Sequence, residues 1–207
     1  MAGLNIVGAK RSDGSERQKH DYYATAPVAM EKLLKLESIE GYIWENACGE
    51  GNLSKVLIEN DKMVLSSDLI NRGYGQVNDF LQNTKYHERK TGIKSDWIIT
   101  NPPYKYGQEW LEKSIKAVKP NGHVALLMKL VFLESISRYK MFKKYPPRSI
   151  YVFSRRLGIY KNNKETQNKG LVAYAWFVWE KGYQGKPKVD WIMTCLLYTS
   201  PSPRDRS

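Results

Sequence analysis

The stretch Trp97-Ile98-Ile99-Thr100-Asn101-Pro102-Pro103-Tyr104 joins a short apolar run to two consecutive prolines. Proline has no backbone N–H and a fixed ring, so it continues neither a sheet ladder nor a helix interior. The stretch therefore predicts a strand that ends near Thr100 and a stiff turn that leaves the sheet at the carboxyl ends of its strands. Ligands of open α/β sheets bind at this edge. The amide of Asn101, the carbonyl of Pro102 and the ring of Tyr104 follow one another there, and such a set can hold a planar group that carries an amine.

The preceding part of the chain predicts a βαβ unit. Residues 41–45 and 62–68 have the composition of short strands, and apolar residues at helical spacing predict a helix over residues 52–59. A glycine turn, Ala47-Cys48-Gly49-Glu50-Gly51, joins the first strand to that helix. The second strand ends in Asp68, about 20 positions after the glycines.

Further helices and strands are predicted on both sides of this unit. Apolar residues at a period of 3.6 predict a helix over residues 28–36, with Pro27 in its first turn, and further helices over residues 110–118 and 132–142. A continuous apolar run over residues 123–128 is typical of a strand buried on both faces. Residues 149–154 and 171–179 predict two more strands, joined by a long basic loop. We expect a single α/β domain.

Composition limits the class of protein and its partners. The 207 residues carry a net charge of +12, and no apolar stretch approaches the length of a membrane span. The excess of positive charge favours a polyanionic partner, most simply nucleic acid. The two cysteines are far apart and have no Cys/His cluster near them, so we expect neither a disulfide framework nor a metal. We expect a cytoplasmic protein that is a monomer or a weak dimer and does not bind membranes.

The two ends of the chain differ from the rest. Residues 1–20 are polar and basic without a period, which predicts a mobile arm. Residues 194–207 resemble the translation of a sequencing adapter, so we exclude them as a non-native scar and expect the native chain to differ after about Met193. The predicted domain is therefore residues 21–193.

The glycine turn and the acidic residue that follows suit a nucleoside-bearing cofactor, because glycines permit close approach and a carboxylate can bind ribose hydroxyls. The third glycine of a dinucleotide motif is replaced by Ser54. Together with Asp79-Phe80 and Asn101-Pro102-Pro103-Tyr104, this order of motifs resembles the Rossmann-like S-adenosylmethionine-dependent methyltransferases. The most similar members are the adenine-N6 DNA methyltransferases, which include small phage-borne enzymes and modification enzymes of restriction-modification systems.

The resemblance covers residues 21–192 and implies a three-layer sandwich around a mostly parallel seven-stranded sheet with an antiparallel last strand. It implies that S-adenosylmethionine is the cofactor, with Glu45 on the methionine amine, Asp68 on the ribose, Asp79 on the adenine amino group and Phe80 against the adenine ring. It also implies that the segment before the first strand closes over the methionine end. The implied cofactor-binding residues are Tyr23, Thr25, Glu45, Ala47, Cys48, Gly49, Gly51, Asp68, Asp79 and Phe80.

The predicted reaction is methyl transfer to the N6 amine of adenine in DNA. The lone pair of that amine is delocalised into the ring, and acceptors on Asn101 and Pro102 would localise it while Tyr104 stacks on a flipped base. Asn101, Pro102, Pro103 and Tyr104 are therefore the candidate catalytic residues. An Asn-Pro-Pro motif also occurs in methyltransferases that act on guanine N2 of RNA and on protein glutamine. These activities, adenine N6 of RNA, and a catalytically inactive nucleic-acid-binding module are the alternatives.

Overall fold

The fold is built on one eight-stranded sheet. The computed structural model describes residues 24–161, 164–169 and 172–193, and over residues 158–171 it describes the backbone only. The strand order is β10-β6-β9-β5-β4-β1-β2-β3. Only β9 runs antiparallel to its neighbours, so the sheet is mostly parallel, as expected. A separate antiparallel hairpin pairs β7 with β8. The strands are β1 Tyr42–Glu45, β2 Met63–Asp68, β3 Gln76–Val77, β4 Trp97–Thr100, β5 His123–Lys129, β6 Ser149–Phe153, β7 Gly158–Lys161, β8 Lys164–Lys169, β9 Tyr174–Glu180 and β10 Lys188–Ile192.

Helices cover both faces of this sheet, and local chemistry determines where several of them begin. Pro27 begins the first helix, where its missing N–H is not needed. Gly51 precedes the second with a φ of 80°, a left-handed conformation that glycine adopts without strain. The helices are α1 Pro27–Leu36, α2 Asn52–Glu59, α3 Tyr86–Thr91, α4 Gly107–Ala117 and α5 Ile136–Lys144, with 3₁₀ turns at Tyr104–Tyr106 and Leu130–Leu133.

Two apolar layers hold the helices against the sheet. Successive residues of a strand point to opposite faces, so Ile43 packs towards α1 and α2 whereas Trp44 packs towards α4. Residues of β4, β5 and β9 contribute to both layers in the same way, which is why these strands are continuous apolar runs in the sequence. The aromatic residues Trp176, Phe177 and Trp179 of β9 are all buried in these layers.

The architecture confirms the predicted fold class and corrects its details. The sheet has eight strands, not seven, because β10 adds to the edge beside β6. The antiparallel strand is β9, and β10, the last strand in the described part of the chain, is parallel to β6. The long loop predicted between the last two strands contains the β7–β8 hairpin, and the helix predicted from Phe132 begins only at Ile136.

Several predictions lie outside the described residues. These are the arm over residues 1–20, the side chain of Tyr23 and the tail over residues 194–207. Within the described part, no helix is long and apolar enough to cross a membrane. The same residues contain no group of three or more His, Cys, Asp or Glu side chains placed to hold a metal ion.

Candidate active site

A cavity of about 380 Å³ lies at the carboxyl ends of β1, β2 and β4. Its walls come from the segment before α1, the turns after β1, β2, β3 and β4, and the first residues of α2 and α4. Strand ends of a parallel sheet meet at this edge, so residues far apart in sequence line one space. The lining residues are Ala24, Thr25, Asn46, Ala47, Asn52, Asp68, Leu69, Ile70, Arg72, Asn78, Asp79, Phe80, Leu81, Gln82, Asn101, Pro102, Pro103, Tyr104, Tyr106, Glu109 and Trp110.

A hydrogen bond holds the amide of Asn101 at the end of β4. Its Nδ2 donates a hydrogen bond of 3.0 Å to Oγ1 of Thr25, a residue 76 positions earlier in the chain. Thr25 is itself fixed, because Nδ2 of Asn52 donates to its carbonyl at 3.1 Å. Oδ1 of Asn101 is buried and has no hydrogen-bond partner among the described residues. Buried acceptors are nearly always paired, so this oxygen lacks the partner that a buried acceptor normally has.

The ring of Tyr104 lies between the ends of three strands. It contacts the ring of Tyr174 at the start of β9, with centroids 5.9 Å apart. The Nζ of Lys129, the last residue of β5, lies 4.5 Å from the Tyr104 ring centroid, which is cation–π geometry. The structure thus places Lys129 against the aromatic residue of the motif.

Asp68 connects the glycine turn to the end of β2. Its Oδ2 accepts from the backbone N–H of Gly49 at 2.9 Å, and its Oδ1 accepts from that of Ile70 at 3.0 Å. Each carboxylate oxygen can accept a second hydrogen bond, so Asp68 can still bind hydroxyl groups from the cavity. Cys48 is 5% exposed and, like Gly49 and Gly51, shapes the turn without lining the cavity, whereas Ala47 lines it.

Asp79 and Phe80 line the same cavity after β3. Oδ1 of the exposed Asp79 accepts from the N–H groups of Leu81 and Gln82, at 3.0 and 3.3 Å, which fixes the carboxylate in a turn. The buried Phe80 ring packs edge-on against Trp44, with centroids 5.2 Å apart, and against Trp110 at 4.8 Å. The sheet and α4 thus hold this ring rigidly at the cavity wall.

Glu45 lies behind the cavity wall. It is 1% exposed, and its Oε2 accepts a hydrogen bond from the hydroxyl of Ser54 on α2. Burial raises the pKa of Glu45 to about 8, although the Ser54 hydrogen bond opposes this shift. The side chain does not line the cavity, but its neighbours Asn46 and Ala47 do. Glu45 is therefore largely protonated at neutral pH in this arrangement.

Of the predicted site residues, the structure brings Thr25, Ala47, Asp68, Asp79, Phe80 and the motif of residues 101–104 to one cavity. Asn46 and Trp110 are among the lining residues that were not predicted, and a 2.9 Å hydrogen bond joins the indole Nε1 of Trp110 to Oδ1 of Asn46. The helical spacing of Trp110 indicated only a core position. Asn46 directly follows β1 at the ligand-binding edge, and this position was the available signal.

The fold occurs in solved structures of low sequence identity. A protein assigned as the modification subunit of a type I restriction enzyme from Vibrio vulnificus has a TM-score of 0.58 at 11% identity, over 86% of this chain and 48% of that chain. A protein from Listeria monocytogenes, assigned as a class I S-adenosylmethionine-dependent methyltransferase, gives 0.52 at 16% identity, over 80% and 62%. A protein from Pyrococcus horikoshii, assigned as an RNA methyltransferase, gives 0.52 at 15%, over 78% and 88%.

No family model matches the sequence, and no curated protein matches it significantly. The chain spans about half of the length of the Vibrio protein and less than two thirds of that from Listeria. At these identities the similarity shows the fold alone. The chain has the Rossmann-like fold of class I methyltransferases.

Proposed function

We propose that this protein transfers a methyl group from S-adenosylmethionine to the exocyclic N6 amine of adenine in DNA. The observation that carries the proposal is the buried Oδ1 of Asn101, which has no hydrogen-bond partner among the described residues and belongs to a residue lining the cavity. An acceptor of this kind suits a ligand that donates an N–H. The Pro102 carbonyl and the Tyr104 ring follow it in the chain, and the adjoining Asp68 and Asp79 can hold a nucleoside.

The cavity fits the cofactor in size and in chemistry. Its volume of about 380 Å³ lies within the range of about 300–1,000 Å³ that is usual for small-molecule sites. Asp68 would bind the ribose hydroxyls, Asp79 the adenine amino group, and the rigid Phe80 ring would pack against the adenine. The turn over residues 47–51 and Thr25 would enclose the remainder. S-adenosylmethionine supplies an electrophilic methyl group on a sulfonium ion.

Glu45 does not line the cavity, so it would bind the ammonium group of the cofactor only with its side chain turned towards the cavity and in its ionised form. A neighbouring cation favours that form and would lower the raised pKa of this carboxyl. Cofactor binding would then release a proton from Glu45 near neutral pH. This release gives a test of the role of Glu45 that does not depend on activity.

The residues of the motif would hold the target amine for attack. Asn101 Oδ1 and the Pro102 carbonyl accept its two hydrogens, so the nitrogen lone pair is localised and directed at the methyl carbon. The hydrogen bond between the Asn101 amide and the Thr25 hydroxyl holds the amide at the end of β4. Tyr104 would stack on the flipped base, and after transfer the extra proton leaves the nitrogen to water.

The charge and the structural relatives favour a nucleic acid as substrate. A net charge of +12 suits a phosphate backbone, and one structural relative is assigned as the modification subunit of a type I restriction enzyme. RNA is the second candidate, because another relative is assigned as an RNA methyltransferase and the first residue of the motif is Asn. Both candidates use the same amine clamp.

The test is incubation with methyl-labelled S-adenosylmethionine and adenine-containing DNA, RNA or protein, followed by digestion and mass spectrometry of the products. We expect N6-methyladenine from DNA. Asn101→Ala should lower the rate by at least about 100-fold, the usual effect of removing one group that stabilises a transition state, with cofactor affinity retained. Asn60→Ala, in the exposed turn before β2, is the matched control. Label found only in RNA guanine or in protein would reject the DNA assignment.

A further inference from the structure

The segment after β5 borders the proposed amine clamp. This rim segment, residues 130–144, contains the 3₁₀ turn at Leu130–Leu133 and the helix α5. It begins beside Lys129, whose Nζ lies over the Tyr104 ring. A Cβ on Gly107 would lie 3.1 Å from Cε2 of Phe132, so the start of α4, directly after the motif, packs closely on the rim segment. The segment is thus positioned beside the cavity.

Large apolar side chains of the rim segment face solvent. Ile136 is 90% exposed and Tyr139 is 62% exposed, and Val131 and Leu133 are also about half exposed. Phe132 and Met141, each 3% exposed, anchor the segment in the core. Because Phe132 and Met141 are fixed in the core, the other large apolar side chains of the segment lie on the outside. Several exposed apolar side chains within one short segment mark an interaction surface more often than scattered single residues do.

The backbone at the start of α5 has a conformation that presents Ile136. Ser135 has a φ of 128°, which is rare for a residue other than glycine. Its hydroxyl caps the helix by accepting from the N–H of Arg138 at 3.4 Å. Strained positions of this kind occur mainly at functional sites. Ile136 directly follows Ser135, and its side chain is almost fully exposed to solvent.

Basic side chains surround these apolar groups. Arg138, Lys140, Lys143 and Lys144 are opposed within the segment by Glu134 alone. None of the four forms an ion pair with a carboxylate in the part of the chain that the structure describes. The Arg138 guanidinium lies 5.1 Å from the Phe132 ring centroid, and Lys143 Nζ lies 5.6 Å from that of Tyr139. Positive charge interleaved with exposed apolar groups is complementary to phosphates and bases together.

We propose that the rim segment is the surface that contacts the nucleic-acid strand beside the target base. Ile136 and Tyr139 contact bases, and Lys140, Lys143 and Lys144 contact phosphates. This inference rests on the proposed function, since it assigns a surface to the same substrate. Phosphates would pair with the four cations of the segment. An apolar protein surface would bury the same cations without ionic partners, which is costly.

Fluorescence anisotropy with an adenine-containing DNA duplex, over a series of salt concentrations, tests the phosphate contacts. Lys140→Ala/Lys143→Ala should lower the slope of log K against log salt by about 1.8, because each phosphate contact contributes about 0.9. The matched control is Lys35→Ala/Lys188→Ala, which removes two exposed lysines that lie outside the rim segment. The control variant should keep the wild-type slope.

Ile136→Ala and Tyr139→Ala test the base contacts. Each should weaken DNA binding about fivefold or more at every salt concentration, whereas Ile58→Ala, another exposed isoleucine, should not. Cofactor affinity and the thermal midpoint should stay at the wild-type values in all variants. Rim variants that bind and methylate DNA as the controls do would overturn this inference alone. A wild-type protein that methylates only protein would overturn both the proposed function and this inference.

Discussion

Glu45→Gln should make the protein more stable at neutral and alkaline pH. The pKa of Glu45 is raised from 4.5 to about 8 in the folded protein because burial penalises its charged form. Between these two pKa values the folded state keeps a proton that the unfolded state releases, so wild-type stability falls by about 1.4 kcal/mol per pH unit. The fall is absent below pH 4.5 and complete above pH 8. A shift of about 3.5 units amounts to a loss of about 5 kcal/mol, which an uncharged glutamine side chain at this position would not suffer.

Urea denaturation followed by tryptophan fluorescence between pH 5 and 9 measures this effect. The difference in unfolding free energy between Glu45→Gln and the wild type should grow with pH and level off near pH 8. Glu59→Gln is the matched control, because Glu59 is exposed and water solvates its charge in both states. Wild-type and Glu45→Gln stabilities that run parallel from pH 5 to 9 would refute the reasoning.

The same substitution tests the proposed contact of Glu45 with the cofactor ammonium. Calorimetric titration with S-adenosylmethionine at pH 7, in buffers of different ionisation enthalpy, reports the protons exchanged on binding. Wild type should release up to one proton more than Glu45→Gln, because the ammonium ionises the carboxyl. Equal proton exchange in the two proteins would mean that Glu45 does not ionise on binding and is a structural residue only.

Two further predictions concern Thr25 and the glycine turn. Thr25→Val removes the hydroxyl that forms a hydrogen bond with the Asn101 amide and should slow methyl transfer about tenfold, whereas Thr25→Ser keeps the hydroxyl and should retain the rate. A loss of cofactor affinity with unchanged turnover would instead assign Thr25 to cofactor binding alone. In urea melts, Gly51→Ala should lower the free energy of unfolding by roughly 1–2 kcal/mol more than Gly73→Ala does. Both glycines have a φ of 80°, but a Cβ on Gly51 would lie 2.3 Å from the Tyr74 ring, whereas one on Gly73 would meet nothing within 4 Å. Equal losses in the two variants would show that the Tyr74 ring moves aside freely.

The sequence was most informative where short-range stereochemistry decides the structure. The helix Asn52–Glu59 has the predicted bounds, and β4 ends at Thr100 because the prolines that follow cannot pair. β10, by contrast, was missed. Four of its five residues are exposed and only Ile192 is buried, so its extended backbone depends on pairing with β6 and not on its own pattern. The β7–β8 hairpin was missed for the same reason, since pairing forms it within a charged stretch.

For the site, the sequence by itself determined which chemical groups are present and at which edge of the sheet they lie. The alternation of strands and helices along the chain and the stereochemistry of proline are local properties, and they place the motif over residues 101–104 at the ligand-binding edge. Only the tertiary structure decided how those groups are oriented. Three contacts each join different elements of the fold: the hydrogen bond between Asn101 and Thr25, the contact of Lys129 with the Tyr104 ring, and the hydrogen bond from Ser54 to the buried Glu45. Such contacts depend on packing between distant segments, which no local pattern in the chain encodes.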